Sequence, residues 1–420
     1  MKRVLAIILA GGRGKRMGIL CRDRAKPVLP FAGKYRIIDF YLSNCVNSGI
    51  HDIAVLVDYQ RSNLTDYLDN SGCQWTDGLR DLQILKPKSG SYRSTAEAMY
   101  QNIPFIEMCG ADLILILTTD QVYRMDYNKM IDSHCEKKAD ITIGVIPVPI
   151  VDAHRFGVVT VDTNGRLMDF VEKPKIPQSN LVSMGIYIFN KNVLLDRLRE
   201  DANKLFSPYD FGHAIIPDIV KKDNAYAYVF NGFWRYLGSI KAYYQANMEI
   251  ISRLPYFITE NNKPVLSRED GEVAPRISGE VRHSIISPGC VIKGKVEDSV
   301  LSPGVWIGEQ AVIKRSVLMN NTFVGKHSVV NKCVLDECVS VKQFSYLGFG
   351  TSPLWEDWDI TVVGRDAVIP AFTSVGRNCK VLPNVGPADF KTRVVPPDSI
   401  VARQQCNEQI KRRKFMVPVG

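Results

Sequence analysis

Gly11-Gly12-Arg13-Gly14-Lys15-Arg16, set after the apolar run 4–10 and followed by Ala25-Lys26-Pro27, reads as a loop that grips a nucleotide. Glycines let the backbone bend tightly and bring its N–H groups close to a phosphate or base, while Arg16 and Lys26 set fixed positive charge beside a polyphosphate. The spacing excludes two commoner motifs. A dinucleotide fingerprint needs glycine where Met17 stands, and a P-loop needs glycine at Leu9 and Ser or Thr at Arg16. Read alone, the segment also fits a plain surface turn between strand and helix, where glycine is common. Two further groups could do chemistry: Asp120, which closes the apolar run 113–117 through Thr118-Thr119, and Glu172-Lys173-Pro174.

The elements that must position these groups follow from hydrophobic periodicity. Short apolar runs at 4–10, 53–57 and 113–117 alternate with amphipathic stretches such as 36–48, which predicts a parallel sheet with helices on both faces. Ligands bind beyond the carboxyl ends of such strands, so Asp120 is expected on the same edge as the glycine loop. Alternation over 157–172 around Asp162-Thr163-Asn164-Gly165 predicts a hairpin with positive φ at both Asn164 and Gly165, delivering Glu172 and Lys173 at its end. Ser183-Met184-Gly185-Ile186-Tyr187 opens another strand, 239–251 reads as a helix, and polar residues with proline mark a boundary over 254–275. Beyond it, triplets centred on Val291, Val300, Trp306, Val312, Val317, Phe323, Val329, Val334 and Val339 recur every five or six residues, and Val363, Ile369, Val375 and Val381 continue at six-residue steps. This is the signature of a hexapeptide β-helix, whose coils must stack and readily self-associate. The interruption at 346–359, with Trp355 and Trp358, predicts a protruding loop packed against a subunit or domain.

Composition bounds the function. A chain of 420 residues with 45% hydrophobic content suits two or three domains. The net charge of +9 suits anionic small molecules and falls short of the basic stripe of a nucleic-acid binder, with Lys411-Arg412-Arg413-Lys414 a solvated tail. The ten cysteines stand singly, without CxxC pairs or zinc spacing, as expected of reduced thiols in the cytoplasm. Met1-Lys2-Arg3 and the apolar residues after it run into the glycine loop and meet no small-residue cleavage site, so no signal peptide is expected, and no segment is long enough to span a membrane.

Further blocks carry a resemblance that covers nearly the whole chain: Arg24-Ala25-Lys26-Pro27, Gly33-Lys34-Tyr35-Arg36-Ile37-Ile38-Asp39-Phe40, Leu42-Ser43-Asn44-Cys45, Asn47-Ser48-Gly49, Tyr92-Arg93-Ser94-Thr95-Ala96, Phe156-Gly157-Val158, Phe170-Val171-Glu172-Lys173-Pro174 and Asp210-Phe211-Gly212. With the glycine loop, they resemble the sugar-nucleotide pyrophosphorylases, most closely the bacterial glucose-1-phosphate adenylyltransferases. The loop marks the broad superfamily, and the blocks over 33–40 and 42–49 favour the adenylyl branch. The resemblance implies an α/β fold: a Rossmann-like nucleotidyltransferase domain with a mixed, mostly parallel sheet over 1–255, a linker over 256–275, a left-handed parallel β-helix over 276–400 and a tail over 401–420. It implies that ATP and glucose 1-phosphate are the substrates, with Leu9, Ala10, Gly11, Gly12 and Gly14 holding the nucleotide. Arg16 and Lys26 would stabilise charge on the α-phosphate and departing pyrophosphate, and Asp120 would hold Mg2+ as the third catalytic residue. Tyr92, Gly157, Glu172, Lys173 and Ser183 match positions that bind the sugar phosphate, with Lys173 facing the phosphate and Glu172 accepting from sugar hydroxyls. A cytoplasmic homotetramer joined through the β-helix is the implied assembly, with neither nucleic acid nor membrane as partner.

Departures from the family pattern qualify these roles. Gly-Asp-His becomes Thr119-Asp120-Gln121, and Trp-Arg-Asp-Val-Gly becomes Trp234-Arg235-Tyr236-Leu237-Gly238, which removes the second metal carboxylate. A phenol ionising near pH 10 does not replace it as an anionic ligand. His213 stands in place of a lysine, and Asp23 in place of a basic residue that serves activators in some members. The readings that follow are an active enzyme that completes the Mg2+ shell with Asp120 and substrate phosphates, a non-catalytic regulatory subunit that keeps the pocket, or a pyrophosphorylase for another pair of nucleoside triphosphate and sugar 1-phosphate. Taken singly, Asp120 also fits a helix cap, and Glu172 and Lys173 a solvated strand end. An acyltransferase built on the β-helix is the weakest alternative, since only His283 and His327 are available there as a base.

Overall fold

The computed structural model describes residues 2–58, 61–69, 75–88, 90–259, 263–268, 273–350 and 360–403. The tryptophans of the 346–359 interruption and the basic run at 411–414 lie outside them. The first part is a mixed sheet of β1 (Val4–Leu9), β2 (Asp52–Leu56), β3 (Asp81–Leu85), β4 (Leu113–Thr118), β6 (Ile141–Pro147), β7 (Gly157–Val161), β8 (Leu167–Glu172), β9 (Leu181–Asn190) and β10 (Ala225–Val229). A separate two-stranded ribbon pairs β5 (Gln121–Tyr123) with β11 (Trp234–Tyr236). The order across the sheet is β8-β7-β9-β4-β1-β2-β3, with β6 on β9 and β10 on β6. β4, β1, β2 and β3 run parallel, whereas β9 runs against both β4 and β6. The sheet is therefore mixed, as the resemblance implied, and not all parallel as the apolar runs alone predicted; the reversal has a consequence for the site. Ile186 pairs with Leu117, so the start of β9, Ser183 to Gly185, lies beyond the carboxyl end of β4 beside Asp120.

Strand burial alternates between two cores. Ala6, Ile8, Leu115 and Leu117 face one side, while Leu5, Ile7, Ile114 and Ile116 face the other, the period-two pattern of a sheet covered on both faces. The 157–172 hairpin forms, but its turn differs from the expected one. Gly165 alone takes positive φ, at 78°, and its N–H bonds Asp162 O at 3.1 Å. Asp162 Oδ1 also accepts from the N–H groups of Asn164 and Arg166, both at 2.8 Å. This is a three-residue loop closed by one left-handed glycine, so Asn164 need not leave the right-handed region.

The second part is three all-parallel sheets wound from residue 276 to residue 401, with matching pairings such as Val291↔Trp306 and Trp306↔Phe323 in one sheet. The triplet centres expected from sequence are displaced by one residue over part of this region. Ile292, Ile307, Ile313, Val324 and Val330 fill the interior, whereas Val291, Trp306, Val312, Phe323 and Val329 point outward. Val300, Val317 and Val334 are buried for another reason: they join the core of the first part, because one face of the β-helix docks there. Of the segment expected as a linker, residues 256–259 continue the helix Leu254–Thr259, and Leu266 N donates to Ser43 Oγ at 2.8 Å against α1 (Ile37–Asn47). Among the described residues no helix is long and apolar enough to cross a membrane.

Candidate active site

The carboxyl ends of β1 and β4 meet where Thr119 Oγ1 donates to Leu9 O at 3.0 Å. Here Lys26, itself buried, reaches Asp120 Oδ1 with its Nζ at 2.7 Å. The Lys26 ammonium holds the Asp120 carboxyl below the usual carboxylate range, and Arg16 and Lys173 add to the effect. Asp120 therefore stays anionic at neutral pH and caps no helix, since β5 follows it.

Two cavities share a wall of Leu9, Thr95, Thr118 and Asp120. The first, of about 580 Å³, lies between the glycine loop and Asp58 with Tyr92 to Thr95. Gly14 takes φ 56°, which lets the loop fold back over Cys21. A short 3-10 helix, Lys15–Cys21, follows, so no long helix presents its amino end to this cavity. The second, of about 190 Å³, is bounded by Arg16, Arg155, Glu172, Lys173, Ser183 and Tyr236 among others. Close backbone approach shapes it. A Cβ on Gly185, at φ 65°, would come within 2.1 Å of Thr118 Oγ1, and one on Gly212 within 2.6 Å of Glu172 Oε2.

Most of the residues singled out from sequence converge here. Leu9, the glycines, Arg16 and Asp120 line the cavities, and Gly157, Glu172, Lys173 and Ser183 line the second. Lys26 reaches the junction through Asp120. Tyr92 is separate: it lines the glycine-loop cavity, its hydroxyl taking a bond from Asn102 Nδ2 at 3.2 Å, and is not grouped with the other four sugar-phosphate candidates. Glu172 and Lys173 bond each other, with Lys173 N bound to Phe156 O at 2.9 Å, so neither is a loose strand end.

Sequence reasoning passed over Asp58 and Arg155, although each had a positional signal. Asp58 follows β2 at the strand-end edge, and Arg155 immediately precedes Phe156-Gly157. Asp210, part of the Asp210-Phe211-Gly212 block but given no role there, also lines the second cavity. Its Oδ1 takes the N–H groups of Gly212 and His213 at 3.0 and 3.1 Å, and its Oδ2 the hydroxyls of Ser94 and Thr95 at 3.0 and 3.2 Å. Although burial opposes it, these bonds and the His213 side chain keep Asp210 below the usual carboxylate range, and the carboxylate ties both cavity rims together. Of the β-helix histidines, His283 is bound to Asp298 and Ser252, and His327 stacks on Phe344 with centroids 4.7 Å apart; neither lies at this site.

The departures now have places. Tyr236 pairs with Gln121 across the β5–β11 ribbon, and Leu237 N donates to Asp120 O at 2.7 Å, so the phenol stands beside Asp120 where a second carboxylate would stand. Its oxygen accepts from Arg16 Nη2 at 2.7 Å. Burial raises the Tyr236 phenol further above its ordinary value, with Asp120 pushing the same way. Gln121 is buried and held through both its oxygen and its nitrogen: it accepts from Trp234 Nε1 at 2.7 Å and donates to Met184 O, bracing the bulge of β9. Among the described residues no three His, Cys, Asp or Glu side chains come together as metal ligands. Asp120 keeps Oδ2 clear of its bond to Lys26, and one carboxylate oxygen with phosphate oxygens and water suits Mg2+. The residues present thus fit a cation carried in on a nucleotide, held by one carboxylate.

Comparisons with known proteins agree with this architecture. A family model described as nucleotidyl transferase matches residues 5–253, and one described as GlmU-like, C-terminal hexapeptide matches 272–364. The glucose-1-phosphate adenylyltransferase of Acetivibrio thermocellus is 40% identical over 406 residues, covering 93% of this chain and 95% of its own. That of Thermomicrobium roseum is 41% identical over 420 residues, covering 96% of this chain and 98% of its own. That of Thermotoga maritima is 39% identical over 424 residues, covering 96% and 100%.

Proposed function

The chain belongs to the glucose-1-phosphate adenylyltransferase family of nucleotidyltransferases, and from that premise we propose that it makes ADP-glucose and pyrophosphate from ATP and α-D-glucose 1-phosphate, the first committed step of glycogen synthesis. The observation that carries this reading is the Lys26–Asp120 pair at 2.7 Å on the wall shared by two cavities, one beside the glycine loop and one beside Glu172 and Lys173. A phosphate oxygen of the sugar phosphate attacks the α-phosphorus of ATP, the bond to the β-phosphate oxygen breaks, and pyrophosphate leaves in line. Such a transfer needs positioning and charge neutralisation more than covalent help. The glycine loop seats the nucleotide, Lys26 and Arg16 neutralise the charge that develops on the transferred and departing phosphates, and Glu172 and Lys173 orient the sugar phosphate. Asp120 would hold Mg2+, which when bound neutralises the triphosphate. Pyrophosphate release from ATP, glucose 1-phosphate and Mg2+ tests the reading; none above a buffer blank, across several nucleotides and sugar phosphates, refutes it.

Tyr236 supports a second reading, in which the chain binds these ligands as a regulatory subunit without turnover. That reading expects ligand binding by calorimetry with no pyrophosphate release, and activity gained in Tyr236→Asp; turnover by the wild type overturns it. A cytoplasmic homotetramer joined through the β-helix accompanies either reading. Light scattering of purified protein checks it, and a monomer refutes it.

A further inference from the structure

Tyr236 is ringed by cations. Arg155 Cζ lies 5.5 Å from the centroid of its ring, Arg16 Cζ 5.7 Å and Lys26 Nζ 6.0 Å, while Phe156 packs edge to face at 5.0 Å. The ring fits because residue 238 is glycine: a Cβ there would come within 2.1 Å of Tyr236 Cε1. Lys26 spends its charge on Asp120, but the two arginines are differently placed. Among the described residues Arg16 has no carboxylate at ion-pair distance, and Arg155 reaches only Asp152, at 3.6 Å. Both line the second cavity.

A carboxylate at position 236 would cancel this charge or recruit a divalent cation to balance it. An aromatic ring does neither. Its quadrupole attracts guanidinium groups and its hydroxyl oxygen fixes the direction of one, yet both keep their full charge and unused N–H donors. Planar guanidinium forks converging on one cavity match the oxygens of a phosphomonoester.

We propose that Arg16, Arg155 and Tyr236 form an anion clamp that takes the phosphate group of a sugar phosphate without any divalent cation. Tyr236 is the positioning residue, Arg155 is the binding residue, and Arg16, held by the Tyr236 hydroxyl, serves both the sugar phosphate and the transferred phosphate that it attacks. The proposal rests on the reading above only in placing a sugar phosphate in the second cavity, and it holds for an enzyme or a binding subunit alike.

Calorimetry of the full chain with glucose 1-phosphate as the probe, in EDTA and again in Mg2+, tests it. The wild type is expected to bind with Kd values within about twofold of each other in the two media. Arg155→Ala should weaken binding in EDTA by about tenfold or more, and Tyr236→Asp should do the same but recover in Mg2+. Tyr236→Phe keeps the ring and loses the oxygen, so it should lose about threefold. Circular dichroism melts establish that each variant is folded, and Arg155→Ala decides the matter if Tyr236→Asp is not. Binding by the wild type only in Mg2+, no binding in either medium, or wild-type affinity in Arg155→Ala overturns the clamp. Metal-free binding without pyrophosphate release leaves the clamp standing and refutes the transfer reading, whereas normal turnover with metal-dependent binding does the reverse.

Discussion

Asp120 meets the two cavities with its carboxylate already tied to Lys26 at 2.7 Å, so the pair works as one unit. Asp120→Ala leaves a buried ammonium without its partner and removes the carboxylate that would hold a nucleotide-borne cation. A fall of about a hundredfold or more in pyrophosphate release is expected, in line with losing a charged group that acts in the transition state; an unchanged rate would show that Asp120 has no such role. Because Lys26 lowers the Asp120 pKa, the carboxylate remains ionised down through the ordinary Asp range near pH 4. The pH profile of kcat/KM should therefore show no acidic limb from Asp120 above about pH 4. In Lys26→Gln that limb should move to higher pH, and a stationary limb would assign it to another group. Sequence named both residues, because a strand-end Asp and a lysine after the glycine loop are visible in one dimension. Their bond was not visible, since 94 positions separate them.

At the scale of elements, the strand that carries Ser183 had to reverse. β9 runs against β4, and its register breaks between Ser183 and Ile186, where Gly185 takes φ 65°. The bulge turns Ser183 into the second cavity and is braced by Gln121 on Met184 O. Gly185→Ala meets both a left-handed backbone and a Cβ 2.1 Å from Thr118 Oγ1. The bulge must shift, so KM for glucose 1-phosphate is expected to rise about tenfold with a smaller change for ATP; equal effects on both substrates would mean a general loss of folding instead. The strand was legible from its largely apolar run, but its direction was not, because local residue type carries no sense of parallel or antiparallel. The one-residue offset in the β-helix has a similar origin. Val291-Ile292, Trp306-Ile307 and Phe323-Val324 are adjacent apolar pairs, so either member could be read as the inward one, and stacking chose the aliphatic residue that fits the narrow interior.

Across the whole molecule, the β-helix reaches back to the strip that carries Lys26. Arg24, 3% exposed, donates to Asp336 Oδ1 at 2.5 Å and stands 3.1 Å from Glu337 Oε2, while Arg36 reaches Glu337 Oε1 at 2.7 Å and Arg365 bonds its other oxygen. Arg24→Leu strands a buried Asp336 without its arginine, and urea denaturation should register a loss of ~3–5 kcal/mol. A loss below ~1 kcal/mol would mean that the seam relaxes or hydrates. Burial alone would raise Glu337, but Arg24, Arg36 and Arg365 outweigh it and hold the carboxyl at about 2. With the folded value below the unfolded one, this contribution is complete above about pH 5 and is lost as pH falls toward 2. The stability gap between wild type and Glu337→Gln, measured from pH 7 to pH 3, should narrow on the acid side; a gap that widens would reverse the sign. The blocks over 33–40 and 42–49, most telling for kinship, are structural here: Arg36 binds the β-helix, Asp39 accepts from Arg36 N at 2.8 Å at the start of α1, and Asn44 holds Tyr123 O and Met125 N. Sequence by itself determined the glycine loop, the strand-end Asp120, the hairpin and the stacked coils, because each is written in local residue type and period. Tertiary structure alone decided that Tyr236 stands among Arg16, Arg155 and Lys26, that Tyr92 belongs to the other cavity, and that Arg24 closes on Asp336. Those relations join residues far apart in the chain, and only packing fixes which distant side chains become neighbours.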